Sequence, residues 1–315
     1  MLLKNGFIKA KKNQMFKHIS RGACIGSGRD ASVSLCNIRG LKQQFVIKTL
    51  NTSIDTEIHE AELQILSFMD SQFIPRLFYA GYDNLGFYSF ITEYIAGGTL
   101  AYHWPNIPSK DINFIAYEVA RGLAYLHDKN CSHGANIDLK LDNIALTPNG
   151  HVKLLDFGCS RDITTPQILP EQCKDYEAPE VAAKKPSGAP SDFYAFGIVI
   201  LKLLQKKNPM KIHEKIGDTI ADDFISKLLI ANPADRLKAD EIFRHEYLQN
   251  IGSEPGFCPN VISTETFEQP MESESPAAAK RKNLETFGLT EEVMRNLMKL
   301  KLFRFPSENL YNSFN

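Results

Sequence analysis

Three polar side chains stand close together near the middle of the chain: Asp138, Lys140 two residues on, and Asn143 three residues beyond that. Two short apolar runs follow, Ile144 to Leu146 and Val152 to Leu155, with Asn149-Gly150 between them. That is a strand–turn–strand pattern. It leads into Asp156-Phe157-Gly158, whose acid lies thirteen residues after Asn143. An acid, a cation and an amide on one loop, with a second acid beyond a hairpin, can hold metal ions against a phosphate and position a hydroxyl. Phosphoryl transfer needs those parts, because its catalysis is mostly positioning and neutralisation of charge.

Other elements have to support that loop. From Ala23 to Leu50 apolar and polar residues alternate, which predicts three antiparallel strands with turns near 26–31 and 37–43. The first turn is Ile25-Gly26-Ser27-Gly28-Arg29-Asp30-Ala31-Ser32-Val33. Its glycines let a backbone approach a phosphate closely, and its N–H groups can bond phosphate oxygens; a hairpin that binds nothing would read the same way. Lys48 sits among apolar residues on the third strand. Ile54 to Asp70 carries an apolar stripe with Glu57, Glu60 and Glu62 outside it, which predicts a helix. Phe73 to Tyr94 reads as two further strands, ending at Thr92-Glu93-Tyr94-Ile95-Ala96-Gly97-Gly98. Helical spacing then covers Ile112 to His127, and an apolar helix runs from Ser191 through Leu204. Cys159 to Glu177 is polar, interrupted by Pro166 and Pro170, and reads as an exposed loop before Ala178-Pro179-Glu180.

These motifs, in this order from Ile25 to Leu248, resemble those of eukaryotic protein kinases. The resemblance implies an α+β, bilobal fold: a small antiparallel β lobe with one helix over 21–95, and a larger helical lobe over 96–250. It implies ATP and Mg²⁺ as cofactors and a protein substrate. By the same resemblance Asp138 and Lys140 are catalytic, and Asn143 and Asp156 hold the metal. Residues Ile25, Gly26, Ser27, Gly28, Arg29, Asp30, Ala31, Ser32 and Val33 cover the nucleotide, while Lys48 reaches its α and β phosphates. Glu62 pairs with Lys48, and the backbones of Glu93 and Ile95 bond adenine. Glu180 and Arg236 form a structural pair, and Asp192 ties its helix to the catalytic loop. The Lys140 position indicates Ser/Thr specificity, and Glu93-Tyr94-Ile95-Ala96-Gly97-Gly98 is most similar to the cyclic-nucleotide- and lipid-regulated group. A fainter similarity in the tail, at Thr266 to Pro270, is to cell-cycle checkpoint kinases.

The chain departs from the pattern before Asp138. Gly134 to Ile137 lie between His133 and Asp138, and Ile137 stands where an arginine would grip a loop phosphate. Gln172-Cys173 replace the family's Gly-Thr. Two readings remain: an active Ser/Thr kinase of signalling or cell-cycle control, and a pseudokinase scaffold that binds nucleotide and a partner.

Length and composition fit this. The 315 residues are 43% hydrophobic and 23% charged, as in an ordinary globular protein. A formal net charge of −1 argues against binding nucleic acid with the whole surface. The six cysteines form no CxxC pair, as expected of reduced thiols in a cytoplasmic or nuclear protein. No apolar run is long enough to span a membrane. Residues 1–20 read as a flexible lead-in or an edge strand, 251–283 as a disordered linker, and 284–315 as a terminal helix available to dock on the domain or bind a regulatory partner.

Overall fold

The computed structural model describes residues 18–27, 31–39, 41–50, 62–63, 65–67, 69–83, 87–128, 138–158, 174–185, 187–206, 215–249 and 251–261. They form two compact units, one from residues up to 54 and 76–94, the other from 55–75 and 95–264. The N-terminal lead-in up to residue 17, the linker beyond 261 and the expected terminal helix lie outside the described residues, as do His133 and Ile137.

The first unit is a five-stranded antiparallel sheet in the order β1-β2-β3-β5-β4. Its strands are β1 (Ile19–Ser27), β2 (Ala31–Ile38), β3 (Gln44–Leu50), β4 (Leu77–Tyr82) and β5 (Tyr88–Glu93). The end of the lead-in is therefore an edge strand rather than a coil. Period-two burial builds the core: Phe45 and Ile47 of β3 are fully buried and pack with Cys36, Ile38, Tyr79 and Ile91. Burial pushes the Cys36 thiol up to about 12, against the opposing charge of Arg21, so it is an inert packing group.

The second unit is mainly helical. It contains α1 (Leu100–His103), α2 (Ser109–Asp128), the hairpin β6 (Ile144–Leu146) and β7 (Val152–Leu154), α3 (Pro179–Ala182), α4 (Ala189–Gln205), α5 (Thr219–Leu228) and α6 (Ala239–Arg244). Among the described residues of the expected helix ahead of Asp70, Glu62, Leu63 and 65–67 are helical. Chain 69–75 is tied to this unit through Tyr125 Oη to Asp70 O (3.1 Å), Leu154 N to Phe73 O (2.8 Å) and Lys153 Nζ to Ile74 O (3.2 Å). α4 is buried all round from Ser191 to Leu203, as its near-continuous apolar sequence requires. α2 starts a turn earlier than its apolar stripe suggests, at Ser109. From its middle, buried Glu118 accepts from Val152 N at 2.7 Å and pairs with His151 Nδ1 at 2.9 Å, which fixes the β6–β7 hairpin.

The chain that follows Leu248 departs from expectation. Residues 251–261 were expected to begin a disordered linker, yet they lie against the helical unit. Pro259 is buried, and the Phe257 ring lies 5.6 Å from that of His103. Three glycines make the seat. A Cβ on Gly97 would collide with Leu146 O, one on Gly150 with Phe257 O, and one on Gly256 with Asp111 Oδ1. Composition averaged over 252–279 is polar, and it hides the two apolar residues that anchor its first third.

Candidate active site

The helical unit gathers the acid, the cation and the amide. Residues Leu141–Asn143 form one 3₁₀ turn that begins just after Lys140. The turn is closed by Asn143 N donating to Lys140 O at 3.0 Å. Lys140 Nζ donates to Asp138 Oδ2. Asn143 Nδ2 donates to the Asp138 carbonyl at 2.8 Å and to its Oδ2 at 3.3 Å. A spacing of two and five residues thus folds three side chains onto one point.

The β6–β7 hairpin brings the second acid to them. Ile144 pairs with Leu154, and Leu155 N donates to Asn143 O at 2.7 Å, so Asp156 emerges beside the turn. Asp156 is exposed and held at φ 58°, a left-handed conformation that a non-glycine residue adopts at a cost and that concentrates at functional sites. Phe157 beside it is buried, and Gly158 N donates back to Asp156 Oδ1 at 3.3 Å. Buried Glu62 also comes to this place: a Cβ built on Gly158 would lie 3.3 Å from Asp156 Oδ1 and 3.8 Å from Glu62 Oε2.

In the sheet unit, register places the other candidates. Gly26 pairs with Val33, Val33 with Lys48, and Lys48 with Phe90, so the turn and the lysine share one line across four strands. Lys48 alternates with buried Phe45 and Ile47, and its Nζ lies 5.7 Å from the Phe90 ring centre. Ile25, Gly26 and Ser27 end β1, while Ala31, Ser32 and Val33 begin β2; Gly28, Arg29 and Asp30 are outside the described residues. Ile25 is 49% exposed. A Cβ on Gly26 would meet only Val33 Cβ, at an ordinary 3.7 Å, so packing within the protein does not demand glycine there. Glu93 N donates to Arg76 O at 3.0 Å, and in the helical unit Ile95 O accepts from Gly98 N at 3.2 Å.

The structural pair holds. Arg236 and Glu180 are both buried, and the guanidinium meets the carboxylate with two 2.6 Å bonds. Ser191 Oγ donates to the same carboxylate at 2.7 Å. Burial alone would raise the Glu180 carboxyl, but the bonds from Arg236 and Ser191 outweigh it and hold it below its ordinary range. Asp192 pairs with His127 Nε2 at 2.9 Å; of the catalytic loop to which it was expected to tie its helix, the part before Asp138 is outside the described residues.

Two residues that the sequence reading passed over join this site. Tyr176 is buried and receives Leu141 N–H on its hydroxyl at 3.4 Å. Lys202 of α4 is also buried, with Nζ 4.1 Å from the Tyr176 ring centre and 3.3 Å from Asp175 Oδ2. A signal for it existed, since Lys202 is the one charged residue in the run from Phe193 to Leu204.

Comparison with known proteins agrees with this geometry. The family described as "Protein kinase domain" matches residues 19–248. A protein kinase C-like protein of Cochliobolus heterostrophus is 27% identical over 87% of this chain, and the match covers 27% of that protein. The eye isozyme of protein kinase C of Drosophila melanogaster is 28% identical over 72% of this chain and 37% of its own length. The cAMP-dependent protein kinase catalytic subunit PRKX of Mus musculus is 27% identical over 84% of this chain and 85% of its own. The chain thus spans about a quarter to just over a third of the protein kinase C relatives named here, and most of PRKX. With the sheet, the hairpin and the ordered motifs in place, the chain belongs to the protein kinase family.

Proposed function

We propose that this chain transfers the γ-phosphate of Mg-ATP to serine or threonine hydroxyls of a protein substrate. The observation that carries the reading is the convergence of Lys140 and Asn143 on Asp138, with Asp156 delivered beside them by the hairpin. The donor set suits a hard divalent cation. Asn143 spends its Nδ2 on Asp138, which turns its amide oxygen toward other use, and Asp156 adds carboxylate oxygens. Among the described residues no group of three or more His, Cys, Asp or Glu is placed to hold an ion alone, so phosphate and water oxygens would complete a Mg²⁺ shell, as is usual for that ion. Bound there, the metal would supply neutralisation of phosphate charge.

In this reading Asp138 orients the acceptor hydroxyl and takes its proton. The hydroxyl oxygen then bonds to the γ-phosphorus as the bond to the ADP oxygen breaks. Lys140, already drawn to Asp138, neutralises charge on the transferred group, and Lys48 holds the α and β phosphates under residues 25–33. The open space where a side chain would stand on Gly26 favours close approach of phosphate. The backbones of Glu93 and Ile95 receive adenine. A role in intracellular signalling or cell-cycle control, in cytoplasm or nucleus, is the setting we infer for such an enzyme.

The test is transfer of radiolabel from ATP by wild type beside Asp138→Ala and Lys48→Met. Label transfer by wild type and none by either variant is the expected result. A wild type that binds ATP and transfers nothing would overturn the reading in favour of a nucleotide-binding scaffold acting through its C-terminal segment.

A further inference from the structure

Leu141 N–H is the first amide of a helical turn, and first-turn amides have no partner inside the helix. The residue before it, Lys140, offers the turn no side-chain cap and bonds Asp138 instead. The partner comes from elsewhere in the chain: the hydroxyl of Tyr176, 35 residues away. At 3.4 Å the bond is long, so its worth depends on how firmly the ring is held.

The ring is held by a cation. Lys202 Nζ lies 4.1 Å from its centre, and the lysine is only 4% exposed, a setting in which a cation over an aromatic face is strongest. The same ammonium binds the carboxylate of the neighbouring Asp175 at 3.3 Å. Lys202 itself has little freedom, since α4 is buried on every side. Farther along the same segment, Glu180 is fixed by Ser191 of that helix and by Arg236. Residues 175–180 are thus pinned to α4 at both ends.

We infer that Tyr176 is a positioning residue for phosphoryl transfer and that Lys202 sets it: α4 acts through Lys202 and the Tyr176 hydroxyl on Leu141, and so on the turn that aims Asp138, Lys140 and Asn143. A buried lysine at this place costs desolvation that an apolar residue would avoid. Its contacts with Tyr176 and Asp175 are what the chain gains in return. The inference rests on the kinase reading above.

The experiment compares wild type with Tyr176→Phe, Lys202→Met, Lys202→Arg and the Tyr176→Phe/Lys202→Met pair. Steady-state ATP turnover is followed with casein or water as acceptor, with Asp138→Ala as the inactive reference. Hydrogen exchange at the Leu141 amide is followed in parallel. Tyr176→Phe and Lys202→Met are each expected to lower kcat about tenfold, equivalent to one bond's contribution in the transition state, with KM for ATP unchanged. Lys202→Arg, which keeps a cation over the ring, restores kcat, and the double variant is no worse than either single one. Exchange at Leu141 quickens in Tyr176→Phe and Lys202→Met but not in Lys202→Arg. Wild-type kcat and wild-type exchange in Tyr176→Phe would overturn the inference. So would a loss of kcat that Lys202→Arg does not restore. If wild type turns over no more ATP than Asp138→Ala, the kinase reading fails, and Leu141 exchange still decides whether the brace exists.

Discussion

Arg236 meets Glu180 fork to fork, Nη1 on Oε1 and Nη2 on Oε2, each at 2.6 Å, with both residues almost wholly out of solvent. Arg236 adds Nε to Ile230 O at 2.7 Å and Nη1 to Pro190 O at 2.9 Å, and its guanidinium lies 4.9 Å from the Tyr194 ring centre. Little of either group's bonding capacity is wasted. Removing one partner leaves the other charge buried and uncompensated. Arg236→Ala is expected to destabilise the fold by about 3–5 kcal/mol, measured by urea unfolding of the helical unit. Arg236→Lys, which cannot form the fork, is expected to recover only part of that loss.

The same pair gives stability a pH dependence of definite sign. The Glu180 carboxyl is held below its ordinary 4.5 by Arg236 and Ser191, in spite of burial. Its contribution is therefore complete above 4.5 and is lost as pH falls through the depressed folded value. Wild type should lose stability on that acid limb, and Glu180→Gln, already weaker at neutral pH, should show a flatter one. Parallel curves for the two proteins from pH 6 to 3 would contradict this.

Replacing Asp138 by Asn keeps the shape of the turn and removes the proton acceptor. We expect kcat to fall by roughly 10²–10⁴, the usual contribution of such a group, with nucleotide binding preserved by fluorescence titration. A comparable loss of binding would show that Asp138 holds the loop together more than it serves the reaction.

Gly150 adopts φ +83°, and a Cβ there would strike the Phe257 carbonyl. Gly150→Ala thus meets both a left-handed backbone, worth about 1–2 kcal/mol for a residue with a side chain, and eviction of the segment around Phe257. Thermal unfolding should shift downward, and protease cleavage near Gly256 should accelerate relative to wild type.

By the kinase resemblance Ile137 stands where an arginine would grip a phosphate on the 159–177 loop, which carries Thr164 and Thr165, so activity is not expected to depend on phosphorylation there. A Thr164→Ala/Thr165→Ala variant should keep at least half of wild-type turnover in the ATP assay. Abolished activity would show that another group reads phosphorylation there.

Much of this arrangement was legible in the sequence because it depends on local spacing. Asp138, Lys140 and Asn143 converge through a single turn, and alternation at Phe45, Ile47 and Lys48 fixes which face of the sheet the lysine takes. The Glu180–Arg236 pair spans 56 residues and was readable only through the family motif. What stayed hidden depends on contact between distant segments with no periodicity to announce them. The Tyr176 hydroxyl reaches Leu141 because of how residues 174–180 fold back, and Lys202 looks from sequence like a misplaced charge in an apolar helix. Residues 251–261 were missed for another reason: two apolar side chains and a glycine suffice to anchor them, and a composition average does not register so few.

Gly97, Gly150 and Asp111 are made well before Gly256, Phe257 and Pro259, yet they form the seat for them. During synthesis the ribosome must release the chain past Pro259, and not merely past Leu248, before this part of the helical unit can close. Until then the buried side of His103 and the carboxylate of Asp111 face water. The interval between those two points is a window in which a nascent chain of this sequence offers a chaperone a surface that the finished protein does not have.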